Sequence, residues 1–83
     1  MLKIPVDGTR YSIEVDQRKD DCCKEPPHCH VLENGIRVAQ YVFRSARLNT
    51  HHRFAEHHLD KIYRCIDQHE NDLIREYERI ANS

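Results

Sequence analysis

Two dipeptides, Asp7-Gly8 and Asn34-Gly35, each interrupt a stretch in which apolar and polar residues alternate. Both pairs favour the two-residue turn of a β-hairpin, because these residues accept the positive φ that such a turn demands. Alternation with a period of two marks a strand with one buried and one wet face. The chain is thereby committed to two hairpins.

The first hairpin is expected over residues 1–15. Pairing outward from Asp7-Gly8 sets Val6 against Thr9, Ile4 against Tyr11 and Leu2 against Ile13. One face then carries Leu2, Ile4, Val6, Tyr11, Ile13 and Val15, and the other Lys3, Pro5, Arg10, Ser12 and Glu14. Pro5 lacks a backbone donor, which suits an edge strand. Residues 16–27 read as a polar linker closed by Pro26-Pro27, whose rings extend the approach to the next strand. At about a dozen residues it is long for a connection inside a compact domain.

The second hairpin is expected over residues 28–43. A regular register about Asn34-Gly35 sets Val31 against Val38, Cys29 against Gln40 and His28 against Tyr41. Cys29, Val31, Ile36, Val38 and Val42 then form the core face. His28, His30, Leu32, Arg37, Ala39, Tyr41 and Phe43 form the opposite one. A bulge would undo this assignment beyond its position.

Residues 50–81 have helical periodicity. Ala55, Leu59, Ile62, Ile66, Leu73, Tyr77 and Ile80 share one seam, on which His69 is the polar member. Ser45 or Thr50 could cap the helix, and Asp60 stands four residues before Arg64 in the favourable order. A helix of about thirty residues runs about 45 Å, whereas strands of this kind run about 20 Å. Such a helix either breaks near His69 or overhangs the sheet and packs on a second subunit, giving a homodimer. The expectation is one α+β domain over residues 1–83. Two consecutive hairpins form a small antiparallel sheet, and a long helix, continuous or broken, packs on it.

No apolar run approaches the length of a membrane span. Met1-Leu2-Lys3-Ile4-Pro5 does not resemble a signal peptide. A cytoplasmic protein is therefore expected, with Cys22, Cys23, Cys29 and Cys65 reduced and no membrane contact. The net charge of −1 gives no overall pull toward nucleic acid. Its distribution is uneven: no acid lies between Glu33 and Glu56, a span holding Arg37, Arg44, Arg47, Arg53, His51 and His52. A local anion-binding patch can exist on a chain of balanced total charge.

Seven histidines and four cysteines raise the question of zinc. His28 and His30 sit two apart on a strand, and Cys65 and His69 four apart on a helix, so these four could form one tetrahedral set. The chain lacks the paired Cys-x-x-Cys that usually marks such a site, and otherwise no cofactor is expected. Acid–base chemistry is a second reading. His28, His30 and His69 would be the catalytic candidates for phosphodiester cleavage, with Arg47 or Arg53 holding the phosphate. The third is a binding surface in which Tyr41 and Phe43 flank the histidines and Arg44, Arg47 and Arg53 supply charge. Against all three stands the ordinary role of histidine as a packed or solvated side chain.

The segment Pro26-Pro27-His28-Cys29-His30-Val31 and the tail His69-Glu70-Asn71-Asp72-Leu73, with Tyr77 beyond it, resemble the domain of unknown function 4160 family of small bacterial proteins. In that family the positions of Cys29 and Tyr77 are usually Phe and Trp. The resemblance singles out Pro26, Pro27, His28, His30, Val31, His69 and Leu73 and implies no reaction. It implies membership of two-gene cassettes similar to toxin–antitoxin pairs, hence a protein partner such as a cognate small protein, with RNA as a further candidate. The favoured expectation is a non-enzymatic interaction or regulatory module whose working surface is the His28/His30 face and the Arg44–Arg53 segment. A metal-independent RNase-like toxin and a small zinc-binding protein are the alternatives.

Overall fold

The computed structural model describes residues 2–15 and 26–82. Five strands, β1 (Leu2–Pro5), β2 (Tyr11–Val15), β3 (His28–Glu33), β4 (Ile36–Val42) and β5 (Arg47–Asn49), form one antiparallel sheet in chain order. Two helices, α1 (Glu56–Gln68) and α2 (Glu70–Ala81), follow and pack on the sheet. The fold is α+β as expected, with one strand more. Of the expected linker, only Pro26 and Pro27 fall among the described residues.

The first hairpin keeps its expected faces but not its expected register. Ile4 pairs with Ile13 and Leu2 with Val15, two residues beyond the prediction. Gly8 has a φ of 72° but Asp7 is not in the positive region. A type I′ turn needs both, so the loop is wider and closes where the Val6 N–H donates to the Tyr11 carbonyl at 3.0 Å. Thr9 staples it, its hydroxyl donating to the Val6 carbonyl at 2.8 Å and accepting from the Tyr11 N–H at 3.1 Å. A shift of two preserves side-chain parity, which is why Val6, Tyr11, Ile13 and Val15 are all buried.

The second hairpin does form the two-residue turn, with Asn34 at φ 51° and Gly35 at φ 84°. Glu33 faces Ile36 and Leu32 faces Arg37, but Val31 then faces Ala39, leaving Val38 as an extra residue. This bulge corrects the expected pairs: Cys29 lies opposite Tyr41, and His28 opposite Val42. Past the bulge the parity of β4 is inverted. Tyr41 therefore joins the core beside Cys29, while Ile36, at the turn and outside the core cluster, is 69% exposed.

Residues 43–46 turn the chain into β5, a strand absent from the two-hairpin expectation. Ala46 closes the turn by donating to the Phe43 carbonyl at 3.2 Å, and its φ of 52° is unusual for a residue with a Cβ. Thr50 does not cap a helix. Its hydroxyl donates to the carbonyl of the bulged Val38 at 2.7 Å and accepts the His52 N–H at 2.8 Å. The α1 N-cap is Ala55, which makes no side-chain capping bond.

The helical segment breaks at His69, whose φ of −113° and ψ of 14° leave the helical region. Its N–H is shared between the carbonyls of Cys65 at 3.1 Å and Ile66 at 3.2 Å. The pieces of 13 and 12 residues are each about 20 Å long, matching the strands beneath. The length argument for a second subunit therefore lapses. The α1 seam buries Ile62, Cys65 and Ile66, and the α2 seam buries Leu73, Tyr77 and Ile80. Ile13, Val31, Ile62, Ile66 and Leu73 are completely enclosed. Each such side chain contributes about 1.5–3 kcal/mol relative to exposure.

Candidate functional site

Polar side chains converge most densely where the β2 start meets the β3 end. Tyr11 and Glu33 are direct cross-strand partners, so their side chains stand close on one face. Tyr11 is 2% exposed, and its ring sits between the guanidinium of Arg10, 5.1 Å from its centroid, and the rings of Phe54 at 5.1 Å and His58 at 5.4 Å. Arg10 Nε donates to Glu33 Oε2 at 2.7 Å. The connector after β5, anchored through Thr50, places His52 Nε2 at 3.2 Å from the Tyr11 hydroxyl oxygen and 3.5 Å from Glu33 Oε2. The His52 ring packs edge-on to Phe54 at 4.6 Å. Residues from three separate stretches of the chain thus form one network.

The electrostatics of the network follow from its contacts. The hydrogen bond from Arg10 holds the Glu33 carboxyl below its ordinary pKa. Burial raises the pKa of the Tyr11 phenol, so the hydroxyl keeps its proton beside the ionised Glu33. The Glu33 carboxylate oxygen, 3.5 Å from His52 Nε2, can only accept, which favours the tautomer with the ring hydrogen on Nε2. His52 Nδ1 is then a lone pair, hydrogen-bonded to none of the described residues. Nearby, burial and then the adjacent His57 lower the His58 pKa, and His58 Nδ1 is enclosed with no hydrogen-bond partner among the described residues.

The residues singled out from sequence are distributed differently. His28 is 5% exposed; its Nδ1 donates to the Pro26 carbonyl at 2.8 Å, and its ring lies 5.0 Å from His30 and 5.8 Å from Tyr77. The Pro-Pro-His segment is thus an internal clasp between the entry to β3 and α2. His69 Nδ1 donates to the Cys65 carbonyl at 2.9 Å and lies 3.9 Å from the Cys65 sulfur. The four expected zinc ligands meet as two pairs. No group of three or more His, Cys, Asp or Glu side chains able to hold a metal ion occurs among the described residues. Burial pushes the Cys29 thiol up to about 12 and raises that of Cys65. Cys22 and Cys23 lie outside the described residues.

Tyr41 was expected on the binding surface and is instead buried, its ring 5.8 Å from Phe43 and 6.1 Å from Tyr63. The inverted parity past Val38 is the cause. Arg44, in the turn before β5, and Arg47, on β5, are exposed at that margin of the sheet; Arg53 is exposed on the connector between His52 and Phe54, both of which pack on Tyr11 of β2. These three arginines form no ion pair with the described residues, unlike Arg10 with Glu33, Arg64 with Asp60 and Arg79 with Glu76. The acid-free stretch thus places two positive charges, unpaired among the described residues, at the β5 edge, those of Arg44 and Arg47.

Sequence reasoning missed the Arg10–Tyr11–Glu33–His52 network. Its only signal was indirect: a histidine pair within an acid-free stretch, and a Tyr and a Glu at corresponding ends of neighbouring strands. No helix among the described residues is long and apolar enough to cross a membrane. Neither the curated proteins nor the solved structures contain a match to the chain. The family model described as Domain of unknown function (DUF4160) matches residues 18–78. The matched stretch takes in Glu33 and His52 and leaves Arg10 and Tyr11 outside it. With a match from ahead of β3 to the last turns of α2, the chain belongs to this family.

Proposed function

We propose that the protein is an interaction module that seats an acidic, extended segment of a partner protein along the β5 edge. The observation that carries this reading is the pair of exposed arginines Arg44 and Arg47 at the β5 edge, with Arg53 on the connector beyond it, none with an ion-pair partner among the described residues. Among the described residues β5 is the last strand of the sheet, paired with β4 alone. An edge strand offers unpaired backbone groups to an added strand, while charge on the edge repels a second copy of the same edge. An acidic partner reverses that repulsion and gains steering from it. The working surface of this module is the arginine margin. His28 supports it from inside the fold, since its ring is buried.

The test uses a labelled peptide of alternating glutamate and valine, followed by fluorescence anisotropy. Binding is expected to weaken as salt rises. The Arg44→Ala, Arg47→Ala, Arg53→Ala triple variant should lose about tenfold or more in affinity, in proportion to three charge contacts. Equal binding by the triple variant, or none by the wild type at low salt, would refute the reading.

A further inference from the structure

We infer that His52 is a general base for cleaving a phosphodiester by its own neighbouring hydroxyl, the chemistry available to an RNA strand, with Glu33 and Tyr11 as positioning residues and Arg10 as the adjacent cation. The argument begins with the tautomer. Nε2 lies 3.2 Å from the Tyr11 oxygen and 3.5 Å from Glu33 Oε2; the carboxylate can only accept, which favours the hydrogen on Nε2 and the lone pair on Nδ1. An imidazole fixed by a carboxylate on one nitrogen and free on the other is the arrangement a general base requires. The His52 side chain is 25% exposed and that of Arg10 50%, so both reach solvent. Arg10 spends its Nε on Glu33 and aims one terminal nitrogen at Tyr11, 3.4 Å away. Its other terminal nitrogen has no partner among the described residues.

The nucleophile must come from the substrate. Among the described residues no serine, threonine or cysteine side chain is hydrogen-bonded to the His52 ring, and the Thr50 hydroxyl is committed to Val38 and to the His52 backbone. A ribose 2′-hydroxyl brings its own nucleophile next to the phosphorus. In the step proposed, His52 Nδ1 takes the 2′-hydroxyl proton and the 2′-oxygen bonds to phosphorus. The bond from phosphorus to the 5′-oxygen breaks with its electron pair. That oxygen takes a proton from water, and the resulting hydroxide takes the proton held by His52. The products are a 2′,3′-cyclic phosphate and a 5′-hydroxyl. The guanidinium of Arg10 offsets charge gathering on the phosphoryl oxygens.

This site and the docking edge rest on different side chains, so either can fail alone. The experiment incubates the purified chain with single-stranded RNA of mixed sequence in EDTA, between about pH 5 and pH 8 where histidine titrates. The matched DNA, lacking 2′-hydroxyls, serves as control. RNA should be cut to cyclic-phosphate ends and DNA left intact. His52→Ala should lower the rate by about a hundredfold or more, and His57→Ala should leave it unchanged. Glu33→Gln should move the acid limb of the pH–rate profile, a response that a purely structural Glu33 would not give. His52→Gln stands in if His52→Ala does not fold. RNA left uncut by the wild type, DNA cut equally, or full activity in a folded His52 variant would each overturn the inference.

Discussion

Replacing Tyr11 by phenylalanine separates the hydroxyl network from the packing that surrounds it. The ring would keep its contacts with Phe54, His58 and the Arg10 guanidinium. The hydroxyl that meets His52 Nε2 at 3.2 Å would be gone. A hydrogen bond to a neutral group contributes about 0.5–1.5 kcal/mol net, and an enclosed partner left unsatisfied adds to the cost. Tyr11 is 2% exposed, so water cannot take the place of the hydroxyl from the ring side. His52 and Glu33 are partly open and recover some solvation, which keeps the loss near 1–2 kcal/mol. In a domain of this size that is a fall in Tm of roughly 4–16 °C. Tyr11→Ala removes the ring too and should cost about 3–5 kcal/mol. Urea unfolding of both variants measures the two steps. A Tyr11→Phe midpoint equal to that of the wild type would show that the hydroxyl takes no part in a network, and would remove the support for His52's orientation.

Three other outcomes follow from particular contacts. Cys29 should resist iodoacetamide in the native state at pH 8 and react after denaturation, because it is enclosed and its thiol is pushed up to about 12; native alkylation mapped by mass spectrometry checks this. Ala46→Gly should raise stability by up to about 1 kcal/mol, because the φ of 52° costs Ala more than Gly; a lower urea midpoint would refute the turn geometry. The paired bonds from Arg79, at 2.7 and 2.8 Å, hold the Glu76 carboxyl down to about 2. A lowered carboxylate pKa stabilises the fold above the unfolded-state value of about 4.3. That contribution is lost as pH falls through the folded value. Arg79→Gln should therefore flatten the dependence of stability on pH between about 4 and 2, measured by urea midpoints across that window.

What could be read from the sequence depended on whether an error preserved parity. The Asp7-Gly8 loop is wider than a two-residue turn, yet a slip of two leaves every side chain on its face, so the core half of β1 and β2 was correct. The single extra residue at Val38 did the opposite. It moved Tyr41 from the expected surface to the interior and took Ile36 out of the expected core. Nothing in Ile36-Arg37-Val38-Ala39-Gln40 marks the bulge, because its hydroxyl anchor, Thr50, is twelve residues away in sequence. β5 was missed because Arg47-Leu48-Asn49 is too short for a period to show. The helix break was legible, since His69 interrupts an apolar seam and a continuous helix would have outrun the sheet. The Tyr11–His52 contact spans 41 residues, and only the fold places it.

The neighbour-to-neighbour strand order has a kinetic meaning. Each of the five described strands pairs with the strand next to it in sequence, so the strand order itself needs no crossover. The loop-closure entropy of assembling the sheet is therefore collected in small steps. Opening can proceed by the same steps in reverse, beginning at a margin. β5 has three residues and one pairing strand, so detaching it breaks few ladder bonds. Its amides should exchange with deuterium well before those of β2 and β3, in the sheet interior. The arginine-bearing margin is thus the part of the sheet whose reshaping requires the least unfolding of the rest.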